Sequence, residues 1–264
     1  MHYFSISKKL IPNSLFIQLF GNRIKFGKNP IQTDTDWIRW EEVAATFYAE
    51  SQKVGIGSFV NNAGYKNIKK VNFHNKNILE IGPGDINHLK YWRFKPKNFT
   101  IIDVDKNMAI FAQNRLNEIK VQPTTYVVKR NSLLPIEDNS VDIVISFYSL
   151  EHILELEKYL IDISRVLKPG GILVGAIPAE GGVAWGLGRM LTTSKWIKKK
   201  YGIDLNKIIC WEHPNFANEI IKLLDKHFNK IELKAWPMPF VPVIDLNLIV
   251  KFNYAKKFTE NQNQ

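Results

Sequence analysis

Two acidic residues and a pair of glycines stand where a nucleoside can be held. Glu80-Ile81-Gly82-Pro83-Gly84 closes one short apolar run, and Asp103-Val104-Asp105 closes the next. Glycines let a ligand approach the backbone, amides at the start of a following helix face it, and a carboxylate ending the second strand accepts both hydroxyls of a ribose. A dinucleotide fingerprint needs a third glycine at position 87, where the chain has Asn87. That glycine serves pyrophosphate approach, so a nucleoside ligand without pyrophosphate suits the turn better. A second set of groups can move protons. Glu151 and His152 follow another apolar run, on the sheet edge where open α/β folds bind ligands, and a histidine titrates near the pH at which a general base works best. The structural alternatives are helix-start electrostatics for Glu151 and packing for His152. No histidine, cysteine and carboxylate cluster has metal-ligand spacing, so no metal is expected, and a serine nucleophile elbow is absent.

These groups need strands and helices to aim them. Ile78, Leu79 and Ile81 form a β-branched run typical of a strand buried on both faces. Asp85 is placed to cap a helix opening at Ile86, and residues 97–104 read as a second strand. Asp105 caps the next helix, 107–120, whose Met108, Ala109, Ala112, Leu116 and Ile119 share one stripe. Residues 124–128 and 141–147 read as the third and fourth strands. A helix runs from Glu151 to about Leu167 and stops at Lys168-Pro169-Gly170-Gly171. Residues 172–177 form a fifth strand and 216–227 a helix with Ala217, Ile220, Ile221 and Leu224 inward. Residues 229–236 and 245–254 form the last two strands, joined by the proline-rich stretch 237–242. Upstream, residues 37–60 read as a helix with Trp40, Val43, Ala44, Phe47 and Tyr48 at helical spacing.

Glu80, Gly82 and Gly84 resemble the first motif of the class I S-adenosylmethionine-dependent methyltransferases, an acidic residue before G-x-G-x-G, with Ile86 replacing the last glycine. Two further stretches strengthen the resemblance: Leu134-Pro135 running into Asp142-Ile143-Val144-Ile145-Ser146, and Arg165-Val166-Leu167-Lys168-Pro169-Gly170-Gly171-Ile172-Leu173-Val174. Their order and distance resemble the small-molecule members, of the ubiquinone-biosynthesis type. The resemblance implies a Rossmann-like α/β fold: a seven-stranded, mostly parallel sheet with helices on both faces and one antiparallel strand. It implies S-adenosylmethionine as cofactor, with Glu80, Gly82, Pro83, Gly84, Asp103, Val104 and Phe147 around it. Family members often place an acidic residue for the adenine amino group just before the leucine-proline pair; here Asn131 or Ser132 stands in. The family usually inserts acceptor-binding elements after the fifth strand, which makes 178–215 an acceptor-binding insertion, rich in glycine and aromatics as a partly mobile pocket wall would be. His213, at its end, becomes the first candidate for a catalytic base, with His152, Glu151 and then Glu180 beside it. Trp40 and Tyr48 are placed to line the site. The expected division is an arm over 1–36, the methyltransferase domain over 37–255 and a polar tail over 256–264.

A net charge of +11 over 264 residues points to anionic surroundings, or to a lysine-rich background. No RNA-binding aromatic or zinc-knuckle signature accompanies it, and Ser146-Phe147-Tyr148-Ser149 is not the N-P-P-Y-like motif of nucleic-acid methyltransferases, so no specific nucleic acid is expected. The expected partner is a small-molecule acceptor with an anionic or lipid-linked part, such as a sugar intermediate of surface polysaccharide assembly. A single cysteine, Cys210, and no apolar run of membrane-spanning length fit a cytoplasmic protein, with peripheral contact at the inner membrane face. An aminopropyl transferase and a non-catalytic nucleoside-binding scaffold are the alternatives on the same fold. Oligomeric state, acceptor and the role of residues 1–30 are not legible.

Overall fold

The computed structural model describes residues 3–6, 10–53 and 55–257, without the side chains of 45–53, 55 and 56. The Tyr48 side chain, a candidate to line the site, and the tail beyond residue 257 therefore lie outside the described residues. Seven strands form one sheet in the order β3-β2-β1-β4-β5-β7-β6. They are β1 (Asn77–Ile81), β2 (Asn98–Asp103), β3 (Thr124–Val127), β4 (Val141–Phe147), β5 (Leu167–Pro178), β6 (Phe228–Trp236) and β7 (Ile249–Lys256). β1 pairs in parallel with both β2 and β4, while β7 runs antiparallel between β5 and β6. Strand order reverses at β1 and β4, and the carboxyl ends of β1, β2 and β4 meet on one edge. In a sheet of this kind the crevice beyond that edge is where ligands bind.

Alternation along the strands sends apolar side chains to both faces. On one face Leu79, Val144 and Leu173 pack with Leu160 and Ile163 of α6 (Leu156–Val166) and with Ile220 and Leu224 of α10 (Ala217–His227). On the other, Ile78, Ile101 and Ile145 pack with Val60 of α4 (Gly55–Tyr65) and with Ala112 and Leu116 of α5 (Lys106–Glu118). Each fully buried Leu or Ile contributes about 1.5–3 kcal/mol relative to an exposed one. Asp105 caps α5, its carboxylate accepting from the amides of Asn107 and Met108.

The remaining helices form a layer over one end of the sheet. They are α1 (Asn13–Phe20), α2 (Arg23–Phe26), α3 (Thr35–Lys53), α7 (Val183–Arg189), α8 (Lys195–Tyr201) and α9 (Leu205–Glu212). Trp37, Trp40, Ile197, Ile208 and Trp211 make a third core within this layer. Asp34 accepts the amides of Asp36 and Trp37 at the start of α3 and pairs with Lys207 of α9, joining the residues before α3 to the insertion. The arm and the insertion are packed together: a Cβ on Gly186 of α7 would come within 2.9 Å of the Phe20 ring. Gly186 thus permits close helix packing and is not part of a loose glycine-rich wall. The insertion is helical through α7, a π turn at Met190–Ser194 and α8.

Four local readings need correction. Asp85 does not cap a helix; its carboxylate binds the Asn87 side chain, and only a 3-10 turn (Asn87–Tyr91) follows, entered through a left-handed Ile86. The helix expected from Glu151 is interrupted: a 3-10 turn (Leu150–His152) comes first and α6 starts at Leu156. Asn215 holds the break open by donating to the carbonyls of Leu150 and Ile153. Lys168 to Gly171 belongs to β5, since Leu167 already pairs with Val141 across a bulge. Asp245 lies in a 3-10 turn (Ile244–Leu246), not in the last strand, and its carboxylate accepts the Ile6 amide. Among the described residues, no helix is long and apolar enough to cross a membrane.

Candidate active site

Gly82 and Gly84 end β1 in the left-handed region, at φ 60° and 54°. A Cβ on Gly84 would meet nothing within 4 Å, so the space beside the turn is open; a Cβ on Gly82 would come within 2.8 Å of Ser149. Pro83 is buried, and its carbonyl accepts the Ile86 amide, tightening the turn. Glu80, one residue before the strand ends, is 1% exposed, and its Oε2 is buried without a hydrogen-bond partner. Burial raises its pKa, and His88 opposes that rise.

His88 was not legible as a site residue. Its Nδ1 accepts from Trp92 Nε1 at 2.8 Å, and an indole can only donate. The proton must therefore sit on Nε2, which donates to Glu80 Oε1 at 2.7 Å. The chain Trp92–His88–Glu80 fixes one carboxylate oxygen and leaves the other as an unmet buried acceptor. The order is invisible along the sequence because the three residues meet only when the 3-10 turn folds under β1.

Asp103 ends β2 beside this turn. Burial pushes its carboxyl up to about 6, although the Asp105 amide donates to it at 2.8 Å. Val104 is exposed. Asn131 is exposed on the loop leaving β3, and the Ser132 hydroxyl is committed to the Lys129 carbonyl at 2.8 Å. Phe147 is a core residue, 5.1 Å from the His88 ring and 5.3 Å from the Tyr65 ring. It supports the His88 relay from beneath and presents little surface. Tyr148 takes a left-handed φ of 56°, a strained conformation for an aromatic residue, and its hydroxyl donates to the Asn61 carbonyl. Trp40 is buried, donating from Nε1 to Glu212 at 3.2 Å.

The residues expected to carry the chemistry meet past β4. Glu151, His152 and His213 each present a donor atom, and these lie within 4.8 Å of one another. The two imidazoles stand nearly perpendicular, with centroids 4.7 Å apart. Glu151 and His152 are neighbours in the chain, but His213 comes from the end of α9, so no spacing rule along the sequence could reveal the group. His152 Nδ1 donates to the Glu212 carbonyl at 2.7 Å. His213 Nδ1 lies 2.9 Å from Glu180 Oε2. Burial alone would raise the Glu180 carboxyl, but Arg189 and His213 override it and hold the group well below the ordinary carboxylate range. Glu180 is therefore an anion, also accepting from Trp185 and Arg189 at 2.9 and 2.7 Å. It orients His213 and is spent as a free base. Burial lowers the His213 pKa, so this ring is neutral with its proton on Nδ1. Burial pushes Glu151 up to about 7, and its Oε2 is buried without a hydrogen-bond partner. Arg23 of the arm donates to the His213 carbonyl at 2.7 Å and stacks over Phe216 at 4.0 Å, tying α2 to the site.

Residues 79–175 match the family model described as a methyltransferase domain. The chain is 33% identical to a malonyl-[acyl-carrier protein] O-methyltransferase of Buchnera aphidicola subsp. Baizongia pistaciae over 109 residues, 41% of this chain and 42% of the relative. It is 26% identical to the ubiquinone/menaquinone biosynthesis C-methyltransferase UbiE of Psychromonas ingrahamii over 166 residues, 58% of this chain and 64% of the relative. The chain thus spans less than two thirds of these relatives' lengths. Among solved structures, the CurJ carbon methyltransferase superposes with a TM-score of 0.56 at 15% identity, covering 83% of this chain and 58% of that one. The [4+2]-cyclase SpnF superposes with a TM-score of 0.51 at 15% identity, covering 90% and 92%. At such identities the likeness concerns the fold.

Proposed function

We infer that this chain, whose residues 79–175 match a methyltransferase-domain model, is a class I S-adenosylmethionine-dependent methyltransferase that methylates a small-molecule acceptor held between the β4–β5 edge and the helical layer. The observation that carries the reading is the buried Glu80 Oε2, an unmet acceptor beside the open Gly84 turn. A cationic ammonium satisfies such an oxygen, and a glycine without neighbours admits a ligand to the backbone. S-adenosylmethionine, when bound, supplies a methyl group already activated on a sulfonium. Glu80 would hold its ammonium, Gly82, Pro83 and Gly84 its approach to the main chain, and Asp103 its ribose hydroxyls. Val104 and the loop with Asn131 and Ser132 would border the adenine, with Phe147 beneath.

The chain's own contribution is then positioning and proton removal. In-line positioning accounts for roughly 7–11 kcal/mol of barrier in favourable intramolecular models. Where the acceptor loses a proton, His213 is the base in this reading: Glu180 holds its proton on Nδ1 and leaves Nε2 free to accept. His152, held in the same tautomer by the Glu212 carbonyl, and Glu151 complete the acceptor-facing group. Leu10, Ile24 and Phe240 are exposed apolar residues at 71, 98 and 85% and support peripheral membrane contact and a lipid-linked acceptor, while the net charge of +11 supports an anionic part. Flotation with vesicles containing anionic lipid tests that finer point; no association at low salt would refute it. A non-catalytic nucleoside-binding role is the alternative, favoured by the left-handed Ile86 in place of the third glycine. Turnover of labelled methyl groups onto any acceptor of a broad panel, lost in His213→Gln with cofactor binding intact, supports catalysis; a stable complex with no turnover supports the alternative.

A further inference from the structure

Glu151, His152 and His213 have a property that a general base alone does not require. Both Nδ1 protons are consumed, by the Glu212 carbonyl at 2.7 Å and by the Glu180 carboxylate at 2.9 Å. The only lone pairs left on the two rings are those of Nε2. The third member, Glu151, is 2% exposed and keeps Oε2 buried without a partner. No lysine or arginine pairs with it among the described salt bridges, although nearby Glu180 and Glu212 add negative charge. The ligand atoms of the three residues lie within 4.8 Å of one another. A buried carboxyl group with one unmet oxygen and two imidazoles with Nε2 uncommitted are thus gathered in one place, and the unmet buried oxygen is costly to leave so.

We propose that Glu151, His152 and His213 bind a divalent first-row transition-metal cation, through the Glu151 carboxylate and the Nε2 atoms of the two histidines. One cation meets all three acceptors at once. Two imidazoles and one carboxylate, with further positions open, suit zinc, manganese, iron or cobalt rather than calcium. The outer contacts match the pattern of such sites, in which each ligating histidine donates its other ring N–H to a carboxylate or a backbone carbonyl. Arg189 keeps Glu180 ionised for that purpose. Access exists, since the His152 side chain is 32% exposed. The part of the proposal that concerns the acceptor rests on the methyl-transfer reading: the open positions would take an acceptor oxygen, which a cation polarises and helps to deprotonate. With a cation bound, His213 Nε2 would be a ligand and the base role given to it above would belong to the cation-free protein alone; the acceptor's proton would then leave to water. Cation binding itself does not depend on that reading.

The test is calorimetric titration of the chelator-treated full chain with Zn²⁺, Mn²⁺ and Co²⁺, with Co²⁺ absorption as a signature of the ligand field. Wild type should bind one equivalent. His152→Gln, His213→Gln and Glu151→Gln should lose it, and Glu180→Gln should weaken it about 10–100-fold by loosening His213. Circular dichroism on each variant separates loss of a ligand from loss of the fold. No saturable binding of any of the three cations, or binding unchanged in Glu151→Gln and His213→Gln, would overturn the proposal. S-adenosylmethionine titrated into the same samples keeps the two readings apart. Cofactor binding without cation binding sinks this inference alone, and cation binding without cofactor binding sinks the methyltransferase reading alone.

Discussion

Removing Arg189 should destabilise the fold around the proposed acceptor site by a measurable amount. Glu180 is fully buried, and its carboxylate is held ionised by an Arg189 guanidinium that is 10% exposed. Arg189→Met keeps most of the side-chain volume and leaves the anion uncompensated. Breaking a buried pair from one side costs about 3–5 kcal/mol. Trp185 and His213 still donate to Glu180, which places the expected loss near 3 kcal/mol. Arg189 also donates to the Leu19 carbonyl, so the arm should loosen as well. In a chain of this size the loss corresponds to roughly 6–12 °C in melting temperature. Urea unfolding followed by circular dichroism, on Arg189→Met, Glu180→Gln and the double variant, completes a thermodynamic cycle. The double variant should recover much of the stability that Arg189→Met loses, because Glu180→Gln removes the stranded charge. A loss below about 1 kcal/mol in Arg189→Met, the level of an exposed pair, or a double variant as unstable as the sum of the singles, would refute the assignment of Glu180 as a buried anion.

Other expectations follow from the cofactor side. Gly84→Val should fold, at a cost of about 1–2 kcal/mol for a side chain in the left-handed region, yet lose S-adenosylmethionine binding in calorimetry because the branched side chain fills the approach. Affinity for S-adenosylmethionine should rise with pH through about 6. Burial holds the Asp103 carboxyl up at that value, and only the ionised form accepts from both ribose hydroxyls, so binding expels a proton below it. The part of the dependence centred near 6 should be lost in Asp103→Asn, leaving any contribution of Glu80, which burial also raises. Trp92→Phe removes the donor that fixes His88 Nδ1, so the Glu80 carboxylate should lose its set orientation. Cofactor affinity should fall several-fold with the melting temperature little changed, and unchanged affinity would dismiss the relay.

The centre of the sheet was legible because β1, β2 and β4 are short runs rich in β-branched residues; 141–147 coincides with β4. Asp105 was recognisable as a cap from its place before a helical stripe, and the structure keeps that role. The failures share a cause: each depends on a partner distant in the chain. The break before α6 is held by Asn215 from across the insertion, and Leu167 enters β5 early because Val141 is there to pair with it. Gly186 looks like a loop residue until Phe20 packs on it. His88 looks like an arbitrary histidine until Trp92 and Glu80 take its two nitrogens. The proposed acceptor-facing group was half legible: Glu151, His152 and His213 were candidates as single residues, but their convergence is a property of the helical layer. Residue types announced the chemistry, and only the tertiary fold assembled it.

The central claim is that the β1 turn and the end of β2 hold S-adenosylmethionine, and titration calorimetry on wild type and Asp103→Ala tests it most directly. Hydrogen bonds to a charged group contribute about 1.5–3 kcal/mol each, so loss of even one should weaken binding at least about tenfold. The account predicts saturable binding of S-adenosylmethionine and of its demethylated product to wild type, weakened by that factor or more in a variant that keeps its melting temperature. Equal affinity in the two proteins, or no binding to wild type with and without candidate acceptors, would contradict it.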